Sequence, residues 1–343
     1  MSGYSDASIR SLLGVASPED AFNRADEILG KLALKDGRAR VSPEEAVSQL
    51  RQKKMEYTTV LSNDFPVLLK HLDDAPPVLF YRGRLPPADA FCFAIVGTRS
   101  PTVYGKQVGR YFAHELARLG MVIVSGFARG TDREAHLGAL DANAITVAVF
   151  GSGVDVVYPA EHRTLYYKVL ERGAVISEQP PGTLPDRYNF PGRNRMISGI
   201  SRGVLVVESA EESGALITAQ FALHQNREVF AIPGRVDSPK SKGPHRLIRS
   251  SQARLVSDPA DILEEFPEFE RHLLTSLPAA VTALSYEEKE VMEHIGEEPR
   301  HLEEISEKSA LAESTVLSVL TQLELKGLVQ KHPGGTFTRT LRL

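Results

Sequence analysis

Residues 186–195 read Asp186-Arg187-Tyr188-Asn189-Phe190-Pro191-Gly192-Arg193-Asn194-Arg195. Three arginines are interleaved there with two aromatic rings. Guanidinium forks take phosphate oxygens and flat rings stack on bases, so this mixture supplies the components of a single-strand nucleic-acid site. The alternative is structural: Phe190 packs in the core and Arg195 pairs with Glu178 or Glu208.

Four glycine turns could add backbone donors to such a site. The first is Val96-Gly97-Thr98-Arg99-Ser100-Pro101, followed by Tyr104-Gly105. It stands where a dinucleotide fingerprint would stand, but it is not G-x-G-x-x-G, and Arg99 fills a place where a pyrophosphate needs a small residue. Gly97 still lets the backbone approach an anion, the following helix start offers free N–H groups, and Arg99 adds a bidentate donor. That favours the phosphates of an extended strand over a cofactor; the bland reading is a tight strand-to-helix turn with an exposed arginine. The second turn, Ser125-Gly126-Phe127-Ala128-Arg129-Gly130-Thr131-Asp132, carries another cation and a helix cap in Thr131 or Asp132. Gly151-Ser152-Gly153 is the third. In the fourth, Ser213-Gly214-Ala215, the glycine and hydroxyl either hold phosphate or start a helix. The candidate nucleic-acid-binding set is therefore Gly97, Arg99, Ser125, Gly126, Arg129, Gly151, Arg187, Phe190, Arg193, Asn194, Arg195, Ser213 and Gly214.

The search for catalytic groups finds little. The chain has no Walker A lysine motif, no H-E-x-x-H and no Cys/His metal spacing. His136 lies near Asp132 and Glu134, an imitation of an acid–base cluster without a nucleophile or metal partner, and packing or capping is its simpler role. The expectation is a protein that is not an enzyme and uses no cofactor and no metal.

The elements that must position these residues alternate regularly. Apolar, β-branched runs at 91–96, 122–124, 146–150, 174–176, 204–207 and 229–232 are separated by helical patterns at 105–119, 133–140, 161–171, 194–201 and 215–225. Short, continuous apolar strands between helices predict an α/β fold, a doubly wound Rossmann-like parallel sheet that binds ligands beyond its carboxyl edge. Before it, patterns at 6–13, 18–34 and 43–52 predict an N-terminal helical (SAM-like) region over 1–87, with a short extended segment at 75–81. After it, three helical patterns (286–295, 302–308, 313–326) and a hairpin (328–331 with 337–341) predict a C-terminal winged helix. The expected domains are 1–87, 88–260, a linker at 261–283, and 284–343.

Charge divides along the same lines. Residues 90–258 hold 20 Lys and Arg against 15 Asp and Glu, whereas 259–343 hold 8 against 16. A polyanion would meet the middle of this 343-residue chain. The third helix of the winged block has no basic residue in its first three turns, which argues against strong duplex binding there. No apolar run of 18 residues exists, the first residues lack a signal-peptide pattern, and the single cysteine, Cys92, cannot form an internal disulfide. A cytoplasmic location with no membrane contact is expected.

Taken together these residues resemble the DNA-processing protein A family (DprA, also called Smf). The likeness rests on Gly97-Thr98-Arg99-Ser100 with Tyr104-Gly105, the 125–132 turn with Ala135-His136, Val157-Tyr158-Pro159, Ser177-Glu178, 190–195, 213–219 and 229–234, in order from about Asp64 to Leu255. The resemblance implies sequence-independent binding of single-stranded DNA, a homodimer through the Rossmann-like domain, and delivery of the strand to RecA recombinase in natural transformation and recombination. It also implies that Arg99, Arg187, Phe190 and Arg195 line the DNA pocket beside the Ser125-Gly126 and Gly151 turns. One departure is Gly243-Pro244-His245-Arg246-Leu247-Ile248, where the family shows Gly-x-Asn-x-Leu-Ile, with a following turn one residue longer. The alternative is an enzyme of the Rossmann-like nucleotide phosphoribohydrolase type, but its Pro-Gly-Gly-x-Gly-Thr loop and glutamate have no equivalent at 212–216. A winged-helix regulator with an appended Rossmann module is a third reading, opposed by the acidic third helix.

Overall fold

Successive residues along each strand face opposite ways, and here both faces are apolar, so the strands need cover on both sides. The computed structural model describes residues 43–269, 285–296, 298–325, 328–332 and 335–339, and the chain forms two compact units, Met1–Ile262 and Leu263–Leu343. The expected helices at 6–13 and 18–34 and most of the linker lie outside the described residues.

The first unit is built on a nine-stranded sheet. Its elements are α1 (Pro43–Gln52), β1 (Glu56–Thr59), β2 (Val78–Gly83), β3 (Cys92–Val96), α2 (Val103–Arg118), β4 (Val122–Ser125), α3 (Thr131–Asp141), β5 (Thr146–Val149), α4 (Arg163–Arg172), β6 (Ala174–Ser177), α5 (Asn189–Gly199), β7 (Gly203–Val206), α6 (Gly214–His224), β8 (Glu228–Ala231), α7 (Lys242–Arg249) and β9 (Arg254–Leu255). The strand order is β1-β2-β6-β5-β4-β3-β7-β8-β9, with β6 through β9 parallel and β2 and β1 antiparallel at one edge. The chain winds outward from β3 to β6 and then crosses back to β7 on the other side of β3. The strand order reverses between β3 and β7, the place where such sheets receive ligands.

Cys92, Ala94, Val96, Val122, Val124, Val147 and Val149 face Met196 and Ile197 of α5 and Leu216, Ala219 and Ala222 of α6. Ala148, Val175 and Phe150 face the other way, against Leu165, Tyr166 and Val169 of α4. The Cys92 thiol is fully buried, and burial pushes its pKa up to about 12, so it is an inert core group.

The predicted helical region does not hold through residue 87: β1 and β2 pair with each other, and β2 pairs with β6, so 56–59 and 78–83 are strands of the large sheet, with a short helix (Val67–Lys70) between them. The 240–254 stretch, where the sequence departs from the family pattern, folds as a 3-10 turn (Pro239–Ser241), α7 and the two-residue β9.

The second unit contains α8 (Tyr286–Glu293), β10 (Arg300–His301), α9 (Leu302–Ser309), α10 (Glu313–Leu325), β11 (Val329–His332) and β12 (Thr336–Arg339). A capping box starts α8: the Ser285 hydroxyl accepts from Glu288 N–H, and the Glu288 carboxylate accepts from Ser285 N–H. Val291, Ile305, Val316, Leu320, Val329 and Phe337 form the core. The hairpin gains a third strand that sequence patterning does not reveal, since β10 pairs with β12.

Candidate nucleic-acid interface

The carboxyl ends of β3, β4 and β5 deliver three turns to one rim, and α5 crosses beneath them. Arg193, in the second turn of α5, is 5 % exposed and forms the floor. Its Nη1 donates to the carbonyl of Gly126 and to that of Val149 (2.8 Å), and its Nε donates to Asn194 Oδ1 (3.1 Å). This seat exists because residue 126 is glycine: a Cβ there would lie 2.5 Å from Arg193 Nη1 and 2.8 Å from Asp132 Oδ2. Asp132 is also buried, and its Oδ2 accepts from Ala128 N–H (3.1 Å). Burial raises the Asp132 pKa, opposed by the nearby Arg193; burial lowers the Arg193 pKa to about 10, opposed by Asp132.

Phe190 lies over the Gly151 turn, its Cδ1 at 3.3 Å from where a Cβ on Gly151 would be. The guanidinium of Arg99 sits 5.5 Å from the Phe190 ring centroid, that of Arg193 at 5.7 Å, and the Tyr158 ring at 6.1 Å. Arg99 is exposed, and among the described residues no carboxylate lies within ion-pairing distance of it. Arg99, Arg193, Phe190, Tyr158, Arg129 and Gly126 line one groove. A roomier hollow at the opposite edge, bordered by Val67, Leu85, Pro86 and Cys92, is walled mostly by apolar groups and offers far less to a polyanion.

Other members of the predicted set have different work. Ser125 is fully buried and its hydroxyl donates to the Ile95 carbonyl (2.7 Å), so it braces β4 against β3 and cannot reach a ligand. Asn194 is buried and donates to the Gly214 carbonyl (3.2 Å) while accepting from Arg193. Gly151 is covered by Phe190. Arg195 pairs with Glu178 and Asp74 (3.4 Å) and donates to the Asp74 carbonyl (2.8 Å), the structural alternative foreseen for it. Phe190 itself is half-buried in the groove and outside the core.

Arg129 reaches the groove but is ion-paired with Glu161. Arg187 lies over the Tyr188 ring (4.8 Å) and donates to its hydroxyl (2.7 Å), away from the groove lining. Ser213 stands at the N-cap of α6, as the structural alternative has it, but its hydroxyl makes no capping bond and instead shares a hydrogen bond with Ser209 (2.6 Å); Gly214 is exposed beside it. Gly97 is wedged against Thr131 and Glu208. Neither Thr131 nor Asp132 caps α3: the cap is Gly130, at φ 78°. Two of the N–H groups at the start of α2 are taken internally: Thr102 N–H donates to the Glu208 carboxylate (2.8 Å) and Gly105 N–H to the Thr102 hydroxyl (3.1 Å). Sequence reasoning did not select Tyr158, Glu161 or Glu208 as site residues. For Tyr158 a signal existed, an aromatic beside proline in the loop after the third glycine turn.

Residues 56–267 match the family model described as DNA recombination-mediator protein A. The chain belongs to that family. Residues 275–335 match a DprA winged helix domain, in agreement with the second unit. Protein Smf of Escherichia coli strain K12 is 39% identical over 305 residues, covering 86% of this chain and 80% of its own. The DNA processing protein DprA of Bacillus subtilis is 42% identical over 219 residues, 64% of this chain and 73% of its own. Among solved structures, Streptococcus pneumoniae DprA superposes with a TM-score of 0.65 at 32% identity, covering 77% of this chain and 94% of that one. Helicobacter pylori DNA processing protein A, whose structure concerns its single-stranded DNA binding mode, does so at 0.56 and 30% identity, covering 62% and 96%. No described helix is long and apolar enough to cross a membrane.

Proposed function

We propose that this chain binds single-stranded DNA, without sequence preference, in the groove at the carboxyl edge of its parallel sheet. The observation that carries the reading is the stack of Arg99 on Phe190 above buried Arg193, open to solvent on one side. Arg99, held near the Phe190 ring, can turn its guanidinium to a phosphate, and the Phe190 and Tyr158 rings that line the groove can take bases. Ring faces and guanidinium forks read no base edge, which gives binding without sequence preference. The rest of the proposed role is what the family resemblance implies: a homodimer that passes the strand to RecA recombinase during transformation and recombination, with no covalent chemistry and no cofactor. The winged helix is an unfavourable duplex reader, because Glu303, Glu304, Glu307 and Glu313 are all exposed on α9 and α10.

Titration of fluorescent single- and double-stranded oligonucleotides at two salt concentrations tests this reading. Wild-type protein should prefer the single strand and lose affinity as salt rises. In Arg99→Ala, affinity should fall by about tenfold for every sequence, and the salt slope should flatten by about 0.7, one phosphate contact. Phe190→Ala should lose on the order of 1–3 kcal/mol, one stacked base, with a nearly unchanged slope. Equal affinity for both DNA forms, or an Arg99→Ala variant that binds like wild type, would refute the proposal.

The exposed Arg129–Glu161 pair leads to an effect of the opposite sign. Solvent screens such a pair so that it contributes little to stability, and Glu161→Gln should release Arg129 toward the strand at little structural cost. Affinity should rise about two- to threefold and the salt slope steepen by up to about 0.7. A weaker-binding variant would mean that Glu161 holds Arg129 in its working position.

A further inference from the structure

The loop that carries Arg99 is held by residues from the far side of the switch point. Thr98 N–H donates to the Glu208 carbonyl (2.6 Å), and Thr102 donates its N–H (2.8 Å) and its hydroxyl (2.7 Å) to the two oxygens of the Glu208 carboxylate. Between them, Lys240 Nζ donates to the Ser100 carbonyl. Glu208 lies two residues beyond the end of β7 and is 4 % exposed. One buried residue thus grips both ends of a five-residue loop whose second member is Arg99.

The room for this carboxylate is made by glycine. A Cβ on Gly105 would lie 2.2 Å from Glu208 Oε2 and 2.5 Å from its Cδ, and one on Gly97 would lie 2.9 Å from the Glu208 carbonyl. In dinucleotide-binding sheets, glycines between the first strand and its helix leave this space for a pyrophosphate. Here a side chain of the protein fills it with negative charge, and being covalently attached it keeps the loop ordered whether or not a ligand is present.

We infer that Glu208 is a resident anion with two consequences: it positions Arg99 for the strand, and it keeps nucleotide phosphates out of the switch point. The first consequence rests on the single-strand reading above; the second does not. Because Arg99 is placed before DNA arrives, the ordering of its loop does not have to be supplied by binding energy.

The test compares full-length wild type, Arg99→Ala, Glu208→Ala, Glu208→Gln and Arg99→Ala/Glu208→Ala. Each is titrated with a single-stranded oligonucleotide, and each is melted in sodium chloride, sodium formate and sodium phosphate at matched ionic strength. Glu208→Ala should bind the strand about tenfold more weakly, like Arg99→Ala, and the double variant should be weaker by no more than about twofold again, since both changes disable one contact. Formate or phosphate should raise the melting temperature of Glu208→Ala by several degrees more than that of wild type, by entering the vacated space. Formate should also restore strand binding to Glu208→Ala and none to Arg99→Ala. If Glu208→Ala does not fold in chloride, its refolding in formate supplies the same answer. Glu208→Gln keeps the shape but turns a donor toward Thr102, so it should show a smaller loss in the same direction.

Wild-type-like strand binding by both Glu208 variants overturns the positioning role, as do losses that multiply in the double variant. Equal formate and phosphate effects on Glu208→Ala and wild type overturn the resident anion. A wild-type protein that binds no oligonucleotide would refute the functional reading alone, because the formate-dependent melting shift is read without DNA.

Discussion

Arg193→Ala is expected to destabilise the first unit by about 3–5 kcal/mol, the cost of leaving two buried carbonyls without their charged donor. The guanidinium ties α5 to the ends of two strands at once, through the carbonyls of Gly126 and Val149, and its charge is the main attraction acting on buried Asp132. Alanine leaves both carbonyls short of a donor and the carboxylate without its compensating cation. Lysine should rescue little, since one ammonium cannot reproduce a planar fork aimed at two carbonyls and the Asn194 side chain.

The deficit should depend on pH in a defined direction. Burial already raises the Asp132 pKa above its ordinary value, and losing Arg193 raises it further. A carboxyl whose folded pKa lies above its unfolded one weakens the fold most where it is forced to stay ionised, above the folded pKa. The deficit therefore shrinks as pH falls toward the unfolded value near 4. Urea unfolding at pH 7 and pH 5 should show the difference, and Arg193→Ala/Asp132→Asn should recover part of the loss at pH 7. Gly126→Ala attacks the same seat from the backbone side, because its Cβ would stand 2.6 Å from the Arg193 Cζ. A loss below about 1 kcal/mol in Arg193→Ala would show that Asp132 and the two carbonyls find water without consequence.

How much of this was legible beforehand varied with the distance over which the deciding contacts act. The six central strands read clearly because both faces are buried, which makes each a short apolar run closed by glycine or polar residues. β1 reads Glu-Tyr-Thr-Thr with one buried residue, and β9 is two exposed residues long; neither carries that signal, since an edge strand answers to one neighbour. In the site, the types of residue were legible and their fates were not. Arg99, Arg129, Arg193 and Arg195 look alike in sequence. They differ only through partners remote along the chain: Phe190 for the first, Glu161 for the second, Gly126 and Val149 for the third, Glu178 and Asp74 for the fourth. Ser125, flanked by glycine, looked like a phosphate donor, but as the last residue of β4 its side chain turns toward β3. Glu208 looked like a possible partner for Arg195 and instead closes the site that the fold would otherwise offer to a nucleotide.

Acidification should weaken the protein before its surface carboxylates titrate, and His136 is the reason. The ring is fully buried in α3, with Nδ1 2.8 Å from the Thr146 hydroxyl. That hydroxyl donates to the Ile123 carbonyl (2.8 Å), so it accepts from Nδ1–H, and Nε2 is left as a bare lone pair with no hydrogen-bond partner among the described residues. A proton added at Nε2 brings a charge into a place with nothing to receive it. Burial first, then the neighbouring charges of His162 and Arg193, push the His136 pKa down to about 3.

For a group whose folded pKa is depressed, the stabilisation is complete above the unfolded pKa, near 6.5 here, and is lost as pH falls toward the folded one. The loss runs at up to about 1.4 kcal/mol per unit, on the order of 4–5 kcal/mol by pH 3. Asp132 acts with the opposite sign in the lower part of that window and offsets some of it. The strain falls on the groove wall: His136 packs 5.6 Å from Phe127, which holds φ 59° between Gly126 and Ala128 and lies 5.3 Å from His162 on another side. Strand binding should therefore fail together with stability between pH 6.5 and 4. His136→Leu removes the titration, so its stability should change less steeply over that range, even if the variant starts lower at pH 7. Parallel slopes for wild type and His136→Leu would assign the acid sensitivity to other groups and leave the histidine as ordinary packing.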